Sequence, residues 1–126
     1  MRVLICGGRN LDSYEVWNWL ERHLKSEIQH LRKPGQKSVS VSCIIHGGAR
    51  GADEGAASWG ESEHAKVLCF PANWKKHGRS AGPIRNQQMI DSGKPDVCVA
   101  FPGGRGTADM VSRAASVGIP IIRATL

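Results

Sequence analysis

Three short stretches set glycines beside arginines at the ends of apolar runs: "CGGRN" (Cys6–Asn10), "HGGARGAD" (His46–Asp53) and "FPGGRGTADM" (Phe101–Met110). Glycine lets a chain turn sharply and lets main-chain N–H groups come close to a phosphate. The first turn of a following helix adds unpaired amides and the positive end of its dipole. On this reading the phosphate-binding candidates are Gly7, Gly8, Gly47, Gly48, Gly51, Pro102, Gly103, Gly104, Gly106 and Thr107. Arg9 follows the first glycine pair, while Arg50 and Arg105 stand just before expected helix starts, and Arg85 lies just after Pro83 in an expected first turn. A cation at a helix N-terminus faces the wrong end of the dipole, at roughly 0.3–1 kcal/mol each. A bound anion reverses that sign. None of the loops matches GxGxxG or the P-loop pattern, which argues against a standard dinucleotide fingerprint and against a nucleoside triphosphatase.

Other residues extend the candidate site. The segment Asn73–Met89 carries Lys75, Lys76, His77 and Arg79 before Arg85, a basic stretch suited to covering a phosphate rim. Trp74 fits two roles equally, stacking on a base or anchoring its loop to the core. His77 could transfer a proton, although a solvated histidine is the plainer reading. Asp53 reads equally as a helix-start cap and as an ionised carboxylate facing a ribose or a developing sugar cation. The five histidines lack ligand spacing, so no metal and no cofactor is expected.

The elements that must hold these residues alternate between strand and helix. Apolar runs at 2–6, 39–46, 66–70, 96–101 and 119–123 read as strands. Three-and-four spacing of Val16, Leu20, Leu24, Ile28 and Leu31 marks a helix over 12–31, and further helices fall at 52–63, 83–92 and 106–117. The stretch 71–82 shows no regular pattern. Such alternation calls for parallel strands with right-handed crossovers. The expected fold is α/β: a single Rossmann-like doubly wound parallel sheet of about five strands, order 3-2-1-4-5, with helices on both faces and one domain over 1–126. Every strand-to-helix turn of such a sheet falls on one edge, where ligands bind in open α/β folds.

Composition narrows the partners. Seventeen Lys and Arg against eleven Asp and Glu give a formal net charge of +6, which suits an anionic partner. Four cysteines, 26 to 37 residues apart and each inside an apolar run, read as small core residues rather than a disulfide or zinc framework. The apolar start is too short for a signal peptide or membrane span, so a cytoplasmic setting without membrane contact is the default.

The "MRVLICGGRN" start, "IHGGARGAD", "FPANWKKHGRSAGPIRNQQMID" and "KPDVCVAFPGGRGTADMV" resemble the YspA-like (cpYpsA-related) branch of the SLOG superfamily. That superfamily also holds the LONELY GUY phosphoribohydrolases and the Smf/DprA single-strand DNA proteins. The resemblance spans nearly the whole chain outside 33–42. It implies a Rossmann-like domain for nucleotides or nucleotide-derived ligands, and a homo-oligomer, specifically a dimer. In LONELY GUY enzymes a PGGxGTxxE loop holds phosphate, and its glutamate and an upstream arginine act on the N-glycosidic bond. Pro102, Gly103, Gly104, Gly106 and Thr107 match that loop, and Arg85 is similar in placement to the arginine. The glutamate position holds Met110, and Asp109, one residue earlier, points about 100° away on a helix.

Three functions follow. The first is binding of a nucleotide-type small molecule. The second is nucleoside monophosphate hydrolysis, with Arg85 and either Asp53 or Asp109 as catalytic groups. The third is binding of single-stranded DNA, ranked last because the arginines gather at helix starts rather than along a stripe with interleaved aromatics.

Overall fold

The computed structural model describes residues 1–126. Its strands are β1 Arg2–Cys6, β2 Cys43–His46, β3 Lys66–Cys69, β4 Val97–Ala100 and β5 Ile121–Arg123. Its helices are α1 Ser13–Trp19, α2 Lys25–Glu27, α3 Ala52–Ser62, α4 Trp74–His77, α5 Ala81–Asp91 and α6 Arg105–Ser116. All strand pairings are parallel, in the order β3-β2-β1-β4-β5. This is the expected doubly wound sheet, with the winding reversing between β1 and β4.

Side chains alternate across each strand, so every strand feeds both faces. Val3 and Ile5 of β1 join Val16, Leu20 and Trp59 in a core beneath α1 and α3. Leu4 and Cys6 join Met89, Met110 and Ala114 beneath α5 and α6. Glycine lets α1 and α3 approach closely: a Cβ on Gly55 would sit 2.8 Å from Val16 Cβ. Fully buried Trp59 satisfies its indole N–H on Glu21, at 2.8 Å. No helix is long and apolar enough to cross a membrane.

Several boundaries differ from the sequence pattern. The first helical segment begins with Asp12 accepting from the amides of Tyr14 and Glu15, then passes through a wider π turn at Leu20–Leu24 and a 3-10 turn at Ile28–Leu31. Residues 39–42, expected as strand, lie outside β2. The Gln29 side chain takes the place of a neighbouring strand there, donating to Val39 O and accepting from Val39 N, both at 3.0 Å. The stretch 71–82 is not irregular. Asn73 caps α4 by accepting from Lys76 N, and a 3-10 turn at Gly78–Ser80 leads into α5. Because α5 begins at Ala81, Pro83 still falls in its first turn but Arg85 lies in the second, away from the unpaired amides. Cys6, Cys43 and Cys98 are buried as expected, whereas Cys69 is exposed on the edge strand.

Candidate functional site

The loops after β1, β2 and β4 meet at the carboxyl edge of the sheet and enclose a cavity of about 560 Å³. That volume suits a small-molecule ligand. Gly8 N donates to Pro102 O at 2.8 Å, which ties the first and last glycine loops together where the winding reverses. The approach is close enough to require glycine at 103, because a Cβ there would lie 2.8 Å from Gly8 N and run into Thr107 Oγ1.

Two helices start at this cavity, and their ends are used differently. At the start of α3 two amides are taken by the protein itself: Ala52 N donates to Gly8 O at 3.3 Å and Gly51 N to Glu54 Oε1 at 2.9 Å. No side chain caps α6, whose first turn runs from Gly104 through Arg105, Gly106 and Thr107 along the cavity wall. This terminus is therefore open to an acceptor from outside the chain. Arg9, Arg85 and Arg105 line the same cavity, and neither ion pair of the chain, Lys25–Glu63 or Asp109–Arg113, involves them.

Arg85 is held from three directions. Its Nη1 donates to Gly47 O at 2.6 Å and to Phe70 O at 3.5 Å, and its Nε donates to Asn86 Oδ1 at 3.0 Å. Nη2 has no protein acceptor. Asn86, only 3% exposed, completes the brace by donating to Gly106 O at 3.2 Å and to Asp109 Oδ2 at 2.9 Å. It thus links the guanidinium to the first turn of α6.

Asp53, 6% exposed, accepts from Ala49 N at 3.0 Å and is the one carboxylate on the cavity wall. Burial pushes its pKa up, against the opposing pull of the Ala49 amide, His46 and Arg85. The expectation of a freely ionised carboxylate therefore meets a desolvation cost that its cationic neighbours only partly offset. Buried His46 is shifted down, first by desolvation. Its Nδ1 accepts from Gly48 N at 3.0 Å, which leaves the neutral ring's proton on Nε2.

Most of the predicted residues come together: Gly7, Gly8, Arg9, Gly47, Asp53, Arg85 and Pro102 to Thr107 all line the cavity. Gly48 and Arg50 lie instead in an adjoining smaller cavity with Trp74, and Gly51 forms the buried turn behind it. Arg79 lies on a separate groove along α5. Asp109 is absent from the wall because Arg113 Nε, at 2.8 Å, and Asn86 hold its carboxylate. Burial alone would raise its pKa, but those two partners together bring it below the ordinary value. Met110 lines the wall and is 1% exposed. His77, Lys75 and Lys76 line neither cavity. Sequence reasoning missed Asn86 and His46. Both stand inside the quoted motifs, but nothing in their type or spacing separates them from ordinary helix and strand-end residues.

These features define a Rossmann-like α/β protein with a basic, glycine-walled crevice at its winding reversal. A model of the YspA, cpYpsA-related SLOG family matches residues 1–77. Gene 61 protein of Mycobacterium phage D29 is 37% identical over 129 residues, covering 96% of this chain and 94% of that protein. No solved structure matches the chain. The chain belongs to the YspA, cpYpsA-related SLOG family. Membership points in general to a nucleotide-related ligand.

Proposed function

We propose that the protein binds a nucleotide-type ligand through its phosphoryl group at the open start of α6. The observation that carries this reading is the contrast between two helix termini at one cavity, one with the amides of Gly51 and Ala52 taken by its own chain and one without such partners, beside three guanidiniums in no ion pair. Amides of the Gly104–Thr107 turn would bind phosphoryl oxygens, with Arg105 and Arg9 supplying charge from either side of the opening. Arg85, already braced, would present Nη2 without further ordering cost. Titration calorimetry with AMP, adenosine and inorganic phosphate tests this. AMP should bind, adenosine should bind at least tenfold more weakly, and Arg105→Ala should remove most of that difference. Equal affinity for AMP and adenosine would refute the phosphate role.

A second reading, hydrolysis of the N-glycosidic bond of a nucleoside monophosphate, is favoured by one feature. Asp53 is the cavity's only carboxylate, and burial biases it toward the protonated form. In that reaction the C1′–N bond breaks, water adds at C1′, and the base leaves with one proton. A protonated Asp53 could supply that proton, with the proton lost by water restoring it. Met110 can do neither. Release of free base from AMP, abolished in Asp53→Asn, would establish the activity; intact AMP after prolonged incubation would leave binding alone.

A further inference from the structure

A second cavity of about 280 Å³ adjoins the first and shares with it the wall formed by Arg9, Gly47, Ala49 and Arg85. Its outer side carries Arg50, exposed and in no ion pair, and Trp74, 53% exposed. Trp74 is braced along one edge: its Cη2 lies 3.5 Å from where a Cβ on Gly82 would stand. About half of the residue is open to solvent. An exposed tryptophan beside unpaired guanidiniums, in a concavity continuous with a phosphate site, has the composition of a base-stacking platform.

Room decides what kind of ligand could use both cavities. The inner one, about 560 Å³, is within the range that holds a whole small ligand, and the outer one adds about 280 Å³ beyond Arg9 and Arg85, which line both. A single nucleotide anchored at α6 with its base in the inner cavity leaves the outer one free, whereas two nucleoside units joined through phosphate can reach from α6 across Arg9 and Arg85 to Trp74. We propose that the outer cavity is a second subsite and that the ligand is a dinucleotide, with one phosphoryl group at α6 and its distal base on Trp74 beside Arg50. The arrangement needs no GxGxxG loop, because the phosphate rests on the helix after β4 rather than on the one after β1. It builds on the proposed phosphate site at α6.

The test compares AMP with diadenosine diphosphate by titration calorimetry on the intact protein. The two identical ends of the latter give only a twofold statistical advantage. Stacking of one base implies a preference on the order of tenfold or more beyond it. Trp74→Ala should collapse the ratio of the two affinities to about the statistical value, Trp74→Phe should restore most of it, and circular dichroism should show all three proteins folded. AMP binding with no added preference for the dinucleotide, or a preference that survives Trp74→Ala, would overturn the second subsite while leaving the α6 site standing. Failure of both ligands to bind would overturn the α6 site and this inference with it. Affinity that keeps rising with the length of a single-stranded oligoadenylate and falls steeply with salt would replace a dinucleotide with a polymer.

Discussion

Asn86 offers the sharpest test of how this site is held. Its three hydrogen bonds run to a guanidinium, a main-chain carbonyl and a carboxylate. Hydrogen bonds to charged groups contribute roughly 1.5–3 kcal/mol each and neutral ones about 1 kcal/mol, so a simple sum for Asn86→Ala passes about 4 kcal/mol. The structure argues for less. Gly106 is exposed and its carbonyl can take water, while Asp109 keeps Arg113 and has a side chain 31% exposed. Only the half-buried Arg85 Nε is left without a replacement, which makes a loss of about 2 kcal/mol the better figure. For a chain of this length that is a fall in Tm of about 8 °C. Asn86→Asp separates the brace from mere packing. It keeps an acceptor for Arg85 but sets a second carboxylate where an amide now meets Asp109 Oδ2 at 2.9 Å. Two carboxylates so close cannot both ionise at low cost, so the folded pair has a raised pKa. Native protein then binds more protons than unfolded protein, and stability must rise as pH falls from about 7 toward 5. Urea melts across that range should show this slope in Asn86→Asp relative to Asn86→Ala. An Asn86→Asp protein as stable as wild type at about pH 7.5, or an Asn86→Ala loss below about 0.5 kcal/mol, would refute the reasoning.

Asp53 carries a raised pKa, so its contribution to stability is full below the ordinary carboxylate value and is lost as pH rises through the folded one. The amide oxygen of an Asp53→Asn side chain would still accept from Ala49 N, so this variant should melt higher than wild type at about pH 8, and the gain should shrink toward about pH 4. His46 has the opposite sign: its lowered pKa means stability is lost as pH falls from about 6.5 through the folded value, a slope that acid melts of His46→Asn should lack. Gly103→Ala should leave the helical circular dichroism intact yet weaken AMP at least tenfold, because the added methyl must push the loop off Gly8 N. With a chromogenic disulfide reagent Cys69 alone should react in the folded protein. Cys6 is buried 3.9 Å from Cys98, and that contact together with burial pushes its thiol far up, so it should react only on unfolding.

The sheet was legible because its signals were local and repeated. Continuous apolar runs separated by helical spacing leave few arrangements, and parallel topology then carries the glycine loops to one edge without any knowledge of contacts. What was not legible depends on side chains distant in sequence. Val39 and Val41 have strand spacing, but Gln29, ten residues before Val39, satisfies its backbone, and β2 begins only at Cys43. Arg85 looked like a helix-start cation because Pro83 suits a first turn; the helix in fact begins two residues earlier, at Ala81. Its orientation is set by Gly47 O and Asn86, and the pattern around it announces neither contact.

The near copies "GGARGAD" and "GGRGTAD" explain why the two expected carboxylates part company. Aligned by residue type, Asp53 matches Asp109 and Glu54 matches Met110. The helices, however, start at different points within the copies. In the first, Gly48 and Gly51 adopt φ of +77° and +74°, conformations that glycine tolerates, and the loop runs on until Gly51 caps α3. Asp53 is then the second helical residue, facing the cavity, and Glu54 folds back to occupy the amide of Gly51. In the second copy α6 starts directly after Gly104, three aligned positions earlier. Asp109 becomes the fifth helical residue and turns to Arg113 and Asn86, while Met110 joins the core. The amides that Glu54 and Gly8 occupy in the first copy have no counterpart acceptor in the second. One motif thus occupies amides at its own helix start and lends the cavity a carboxylate, while its twin withdraws the carboxylate and leaves the helix start without such partners.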